Sequence, residues 1–134
     1  MTEVKENHYP NGNIMYKSYW KNGEMHREDG PAYIAYYENG NINVKEYYIN
    51  GLLHREGSPA FISYYENGNI MSKSYYINGK LHREDGFAII KYNKNRNIKY
   101  KEYRINGIYL TEEEWYSKLS IENKVRFSFG MNNE

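Results

Sequence analysis

His26, His54 and His82 are each followed by Arg and Glu, and the three trios stand 28 positions apart. A histidine beside a carboxylate is the pairing that acid–base catalysis and metal coordination draw on, because the imidazole changes charge near neutrality and ligates metals through either nitrogen. The spacing argues against both uses. Repeated units put the trios on strands of one sheet, where neighbours lie ~4.8 Å apart, so histidines two or three strands apart stand roughly 10 to 14 Å from each other. One metal needs all its donors within about 2 Å, and a catalytic centre needs one assembled constellation, not three copies. The expectation is therefore no metal, no cofactor, no catalytic residue and no enzyme, with the trios acting as structural pairs.

Two further ladders keep the same step: Tyr19, Tyr47, Tyr75 and Tyr103, and Lys17, Lys45, Lys73 and Lys101. Tyrosines that stack bases, flanked by lysines that meet phosphates, would suit single-stranded nucleic acid. The charge balance weakens that alternative: 18 Lys and Arg face 17 Asp and Glu, a net charge of +1, which gives no strongly salt-dependent phosphate track. Tyrosine also brings large contact area with few rotors to freeze, which favours protein interfaces. The candidate binding residues are Tyr19, His26, Tyr47, His54, Tyr75 and His82, on a Tyr/His/Lys/Glu face that meets a protein partner, another copy of the chain included.

The elements that would position these residues follow from a second periodicity. Asn-Gly recurs at 11–12, 39–40 and 67–68, and again at 22–23, 50–51, 78–79 and 106–107. The pair readily adopts the positive φ angles of a two-residue type I′ hairpin, so strands are expected on both sides of each. Between units lie the breakers Asp29-Gly30-Pro31 and Gly57-Ser58-Pro59, followed by strands such as 60–65. A tight turn at Asn50-Gly51 sets Ile49 against Leu52, Tyr48 against Leu53, Tyr47 against His54, Glu46 against Arg55 and Lys45 against Glu56. The same rule pairs Lys17 with Glu28 and Lys73 with Glu84. One face then carries Ile14, Tyr16, Trp20, Ile42, Val44 and Tyr48 as the core, and the face with the Lys, Tyr and His ladders is the wetter one.

Four units fit a single domain, at about 8–35, 36–63, 64–91 and 92–119, after a short polar lead-in, residues 1–7, expected to fray. The fourth unit decays into Thr111-Glu112-Glu113-Glu114, a capping-box pattern predicting a helix over about 112–119 that covers the end of the array. Within the tail, 120–134, residues 121–129 read either as an extension of that helix or as a strand, and 130–134 as a frayed end. The expected fold is mainly β: a one-layer antiparallel meander of 28-residue repeats with a C-terminal capping helix. With no Cys, no apolar run of membrane-spanning length and no leader pattern, the expectation is an unprocessed cytoplasmic protein.

Tyr36-Tyr37-Glu38-Asn39-Gly40-Asn41-Ile42, with Tyr47-Tyr48-Ile49-Asn50-Gly51 after it, resembles the variant MORN repeat of bacterial and viral proteins. The inserted His-Arg-Glu-Asp-Gly-Pro-Ala segment is similar to repeats of uncharacterised giant-virus and phage proteins, which often finish in Asn-Gly and then Leu-Thr-Glu-Glu-Glu. The resemblance covers residues 9 to about 119. It implies an elongated antiparallel sheet and a role in protein association, in membrane-associated scaffolding or in antitoxin-like binding, inside the host cytoplasm for a viral protein. The longer period and the His-Arg-Glu segment depart from the standard unit and weaken the membrane role. The resemblance supplies no catalytic residues.

Overall fold

The computed structural model describes residues 2–128. Its strands follow from its turns. At Asn22-Gly23, Asn50-Gly51, Asn78-Gly79 and Asn106-Gly107 both residues have positive φ, 48° to 52° for Asn and 79° to 82° for Gly, the type I′ signature expected from the sequence. The other Asn-Gly set behaves differently. Only its glycines are left-handed, at φ 92°, the Gly12 N–H donates to Tyr9 O, and the Tyr9 N–H donates to Asn13 O. These are three-residue loops, a type I turn closed by a bulged glycine, and the ladder shifts register beside each one.

Between these loops run β1 (Thr2–His8), β2 (Ile14–Lys21), β4 (Tyr33–Tyr36), β5 (Ile42–Glu46), β8 (Phe61–Tyr64), β9 (Ile70–Ser74), β12 (Ile89–Tyr92) and β13 (Ile98–Ile105). They pair antiparallel in that order, with β14 (Ile108–Leu110) at the far edge. The four type I′ turns build short hairpins from the end of β2 with β3 (Glu24–Met25), from β6 (Tyr48–Ile49) with β7 (Leu52–Leu53), from β10 (Tyr76–Ile77) with β11 (Lys80–Leu81), and from β13 with β14. Consecutive hairpins are bonded to each other: Arg27 N–H donates to Tyr48 O and Gly51 N–H to Met25 O, a pattern repeated by Arg55 with Tyr76 and by Gly79 with Leu53. Each unit thus adds two strands to a main ladder and one hairpin to a parallel row. The expected antiparallel meander and its C-terminal helix are both present.

Several details differ from expectation. The segment read as a frayed lead-in is β1, paired with β2 along its whole length. Its side chains are all exposed, so hydrophobicity could not reveal a strand held by its backbone. The single strand expected over 41–49 breaks at Tyr47, and its counterpart breaks at Tyr75. Tyr47 donates its N–H to Ala60 O in the main ladder while its carbonyl accepts the His54 N–H of the hairpin, so the two rows diverge there. Ile49 with Leu52 and Tyr48 with Leu53 pair as expected, but the hairpin register ends at the histidine. Lys17, Lys45 and Lys73 lie within the main ladder opposite Ile34, Ile62 and Ile90. The expected ladder pairs Lys17–Glu28, Lys45–Glu56, Lys73–Glu84 and Glu46–Arg55 are therefore replaced.

Cross-strand partners share a face, which defines two faces. One carries the row Glu6, Lys17, Ile34, Lys45, Ile62, Lys73, Ile90, Lys101. One step along it lies a row in which Val4, Tyr19, Ala32, Tyr47, Ala60, Tyr75, Ala88 and Tyr103 alternate large and small. The other face carries Ser18, Tyr33, Glu46, Phe61, Ser74, Ile89 and Glu102. The face expected to be wetter holds the deeper burial: Ala32, Ala60, Ala88 and Ile90 are 0% exposed, because a methyl opposite tyrosines leaves space that the rings can cover. The supposed core face is mostly half-buried and carries polar networks, such as Tyr48 OH donating to Glu46 at 2.9 Å and Trp20 Nε1 donating to Ser18 at 2.8 Å.

The end of the array is closed by α1 (Glu112–Ser117) and α2 (Ile121–Ser128). Thr111 is the N-cap of a complete capping box with Glu114, and α1 buries Trp115 in a cluster with Tyr103, Leu110 and Leu119. Tyr103 stacks between Phe87 and Trp115, with centroids at 4.5 and 4.3 Å, and Trp115 Nε1 donates to Arg83 O. The helix expected to about 119 ends at 117, and the following segment is neither its extension nor a strand but a second, separate helix whose Phe127 meets Trp115 edge-on. The frayed end expected at 130–134 lies outside the described residues.

Candidate functional site

The six candidate residues fall into three pairs. Each tyrosine sits where the main ladder and hairpin row part, and each histidine is the first residue past the hairpin, so backbone bonds hold His26 beside Tyr19, His54 beside Tyr47 and His82 beside Tyr75. The imidazoles then reach into the next unit. Nδ1 of His26, His54 and His82 accepts the backbone N–H of Asn50, Asn78 and Asn106, at 2.9 to 3.0 Å. Those donors belong to left-handed turn residues, whose amides point out of their own hairpins. Accepting on Nδ1 places the ring proton on Nε2. In His82 that nitrogen lies 3.0 Å from Glu84 Oε2, while Nε2 of His26 is buried with no partner among the described residues.

The arginines of the same trios, left out of the candidate set, organise the site. The guanidinium groups of Arg27, Arg55 and Arg83 lie 4.0, 3.8 and 4.0 Å from the ring centroids of Tyr19, Tyr47 and Tyr75. Each also donates through Nη1 to the carbonyl of Pro31, Pro59 or Phe87 at the end of its loop. A cation over a tyrosine face is worth roughly 0.5–1 kcal/mol at an exposed site. Arg27 and Arg83 pair in addition with Asp29 and Asp85, at 3.0 and 2.8 Å; the middle loop has Gly57 at that position. The glutamates of the trios lie on these loops, outside the main ladder in which the lysines pair with isoleucines. Invariant recurrence of Arg between His and Glu was the signal available for this role.

These loops wall three successive clefts. The first, about 580 Å³, lies between β1 and the first loop and is lined by Tyr19, Trp20, His26 and Arg27. The second, about 800 Å³, has Tyr47 and Ile49 with His54, between Arg27 and Arg55. The third, about 370 Å³, has Tyr75 and Ile77 with His82, between Arg55 and Arg83. Every candidate pair therefore lines its own cleft, with charges of both signs around an aromatic floor. Cleft-to-cleft spacing follows the two main-ladder strands per unit, about 10 Å. The ladder lysines are turned toward rings, Lys45 over Tyr64 at 5.9 Å and Lys73 over Tyr92 at 5.5 Å. Burial raises the phenol pKa of Tyr48 well above the ordinary range, assisted by its bond to Glu46 and that carboxylate's charge.

Among the described residues, no three His, Asp or Glu side chains converge as a metal site requires, and no helix is long and apolar enough to cross a membrane. No family model, curated protein or solved structure matches the chain.

Proposed function

We propose that the chain is a non-enzymatic interaction module that grips a protein partner along its row of clefts, with Tyr19, His26, Tyr47, His54, Tyr75 and His82 forming their floors and sides. The observation that carries this reading is the recurrence of one cleft three times in register. Recurrence suits an extended partner bound by several modest contacts, which together hold far more tightly than any one alone. Aromatic floors, joined by an isoleucine in the second and third clefts, with rims of mixed charge match polypeptide side chains better than a phosphate backbone, and lysines lying over tyrosine rings are poorly placed for a nucleic-acid track. Grouping the array with variant MORN-like repeats belongs to the same proposal, supported by its tandem hairpins, and so does a reducing cytoplasmic setting, supported by the lack of Cys.

The test is affinity capture with quantified elution. Glu28, Glu56 and Glu84 are exposed on the cleft rims, so Glu28→Lys/Glu56→Lys/Glu84→Lys should fold normally and lose the partner. Glu38→Lys/Glu66→Lys, at the loops on the opposite ends of the strands, should retain it. Equal retention by both variants contradicts the proposal, and capture of single-stranded DNA with steep salt dependence replaces it with the nucleic-acid alternative.

A further inference from the structure

The edge strand β1 pairs only with β2 among the described residues, leaving one backbone edge open along Thr2–His8. Natural edge strands are protected by brevity, proline, a bulge or charged side chains, and β1 carries charges at Glu3, Lys5 and Glu6. It is seven residues long and carries no proline, and its register is regular from Thr2 to Asn7. We propose that this edge binds a second copy of the chain, strand to antiparallel strand, on a two-fold axis through Val4.

The register follows from symmetry and charge. A two-fold axis perpendicular to the sheet pairs residues that point to the same face, so it must pass through a residue and not between two. Within Thr2–His8, axes through Val4, Lys5 or Glu6 overlap five residues or more. An axis through Lys5 sets Lys5 against its own copy, and one through Glu6 sets Glu6 against Glu6; like charges directly opposite are destabilising. Through Val4, Glu3 meets Lys5 of the second copy and Lys5 meets its Glu3, with Thr2 against Glu6 on either side. Both charged pairs form on the Trp20 face, where the Lys5 ammonium already stands 4.3 Å from the Trp20 ring.

The opposite face supports the same axis. Val4 lies across from Tyr19 at the open end of the row that continues as Ala32, Tyr47 and Ala60. It is a 53% exposed aliphatic side chain on an otherwise polar strand. Pairing Val4 with its copy covers it and joins the two rows into one. The self-association engages the β1 wall of the first cleft, lined in part by Thr2, Glu3 and Val4, whereas the second and third clefts contain no β1 residue and test the cleft reading separately.

The chain has no Cys, so Val4→Cys introduces a single thiol. On the proposed axis the two Val4 Cα atoms lie about 4.5–5.5 Å apart, within disulfide range, while Glu6 and its copy stand roughly 14 Å apart. Mild oxidation should link Val4→Cys into a covalent dimer and leave Glu6→Cys monomeric. In sedimentation at low salt, Glu3→Lys and Lys5→Glu should each weaken the wild-type dimer roughly tenfold or more, and Glu3→Lys/Lys5→Glu should restore it. Circular dichroism checks that each variant is folded. The proposal is overturned if the wild type is monomeric at its highest soluble concentration, if Glu6→Cys links as readily as Val4→Cys, or if the charge swap fails to restore association.

Discussion

His54 shows how a residue suited to chemistry becomes part of a scaffold. Its Nδ1 is occupied by the Asn78 amide, and the same nitrogen of His26 and His82 accepts from Asn50 and Asn106 in their own next units. Replacing His54 with Phe keeps the ring and removes the acceptor. The expected loss is about 1 kcal/mol, read as a lower denaturation midpoint. Ala60 is the complementary case: it is 0% exposed between Tyr47 and Tyr75, and Ala60→Leu should cost about 1–3 kcal/mol through overpacking, measured by the same unfolding curve. Sequence periodicity made the Tyr, His and Lys ladders legible, because register within a tight hairpin is local. It did not show Arg55 lying over Tyr47, because that contact depends on how a loop leaves the sheet.

Among the elements, those stabilised locally were the most readable. The type I′ turns and the capping box at Thr111 appear in the structure much as their residue types dictate. By contrast, β1 was hidden by its polar side chains, and α2 by the tertiary origin of its stability, the contact of Phe127 with Trp115. The three-residue loops were misread as two-residue turns because Asn-Gly serves both: as i+1 and i+2 in one set, and with only the glycine left-handed in the other. Thr111→Ala should cost about 1 kcal/mol by removing the cap, and Trp115→Ala about 3–5 kcal/mol by emptying the terminal cluster, both followed by thermal melting. Hydrogen bonds from the Thr111 backbone and side chain hold the Glu114 carboxyl below its ordinary pKa. A depressed folded pKa stabilises the folded form above the unfolded pKa, and this contribution disappears as pH falls through the folded pKa. Acid titration of Trp115 fluorescence in a Trp20→Phe background should therefore show the cap loosening at low pH, with Glu114→Gln removing that dependence.

At the scale of the whole molecule, each unit is completed by the next. Tyr9, Tyr37 and Tyr65 donate their hydroxyls to the carbonyls of Tyr36, Tyr64 and Tyr92, at 2.6 to 2.7 Å, while the histidines lock successive hairpins and the C-terminal helices close the last tyrosine. Stability in such an array is a sum over units and their junctions, so excising residues 36–63 should leave a folded, shorter protein with a smaller denaturant m-value. The same repetition underlies the functional proposal, since three like clefts predict binding spread across all of them. The direct measurement is the affinity of the captured partner for Glu28→Lys, Glu56→Lys and Glu84→Lys taken one at a time and together. Partial weakening by each single change and loss of binding in the triple variant is the predicted result. Complete loss from one substitution, with the other two silent, would place binding at a single site and contradict an array of equivalent clefts.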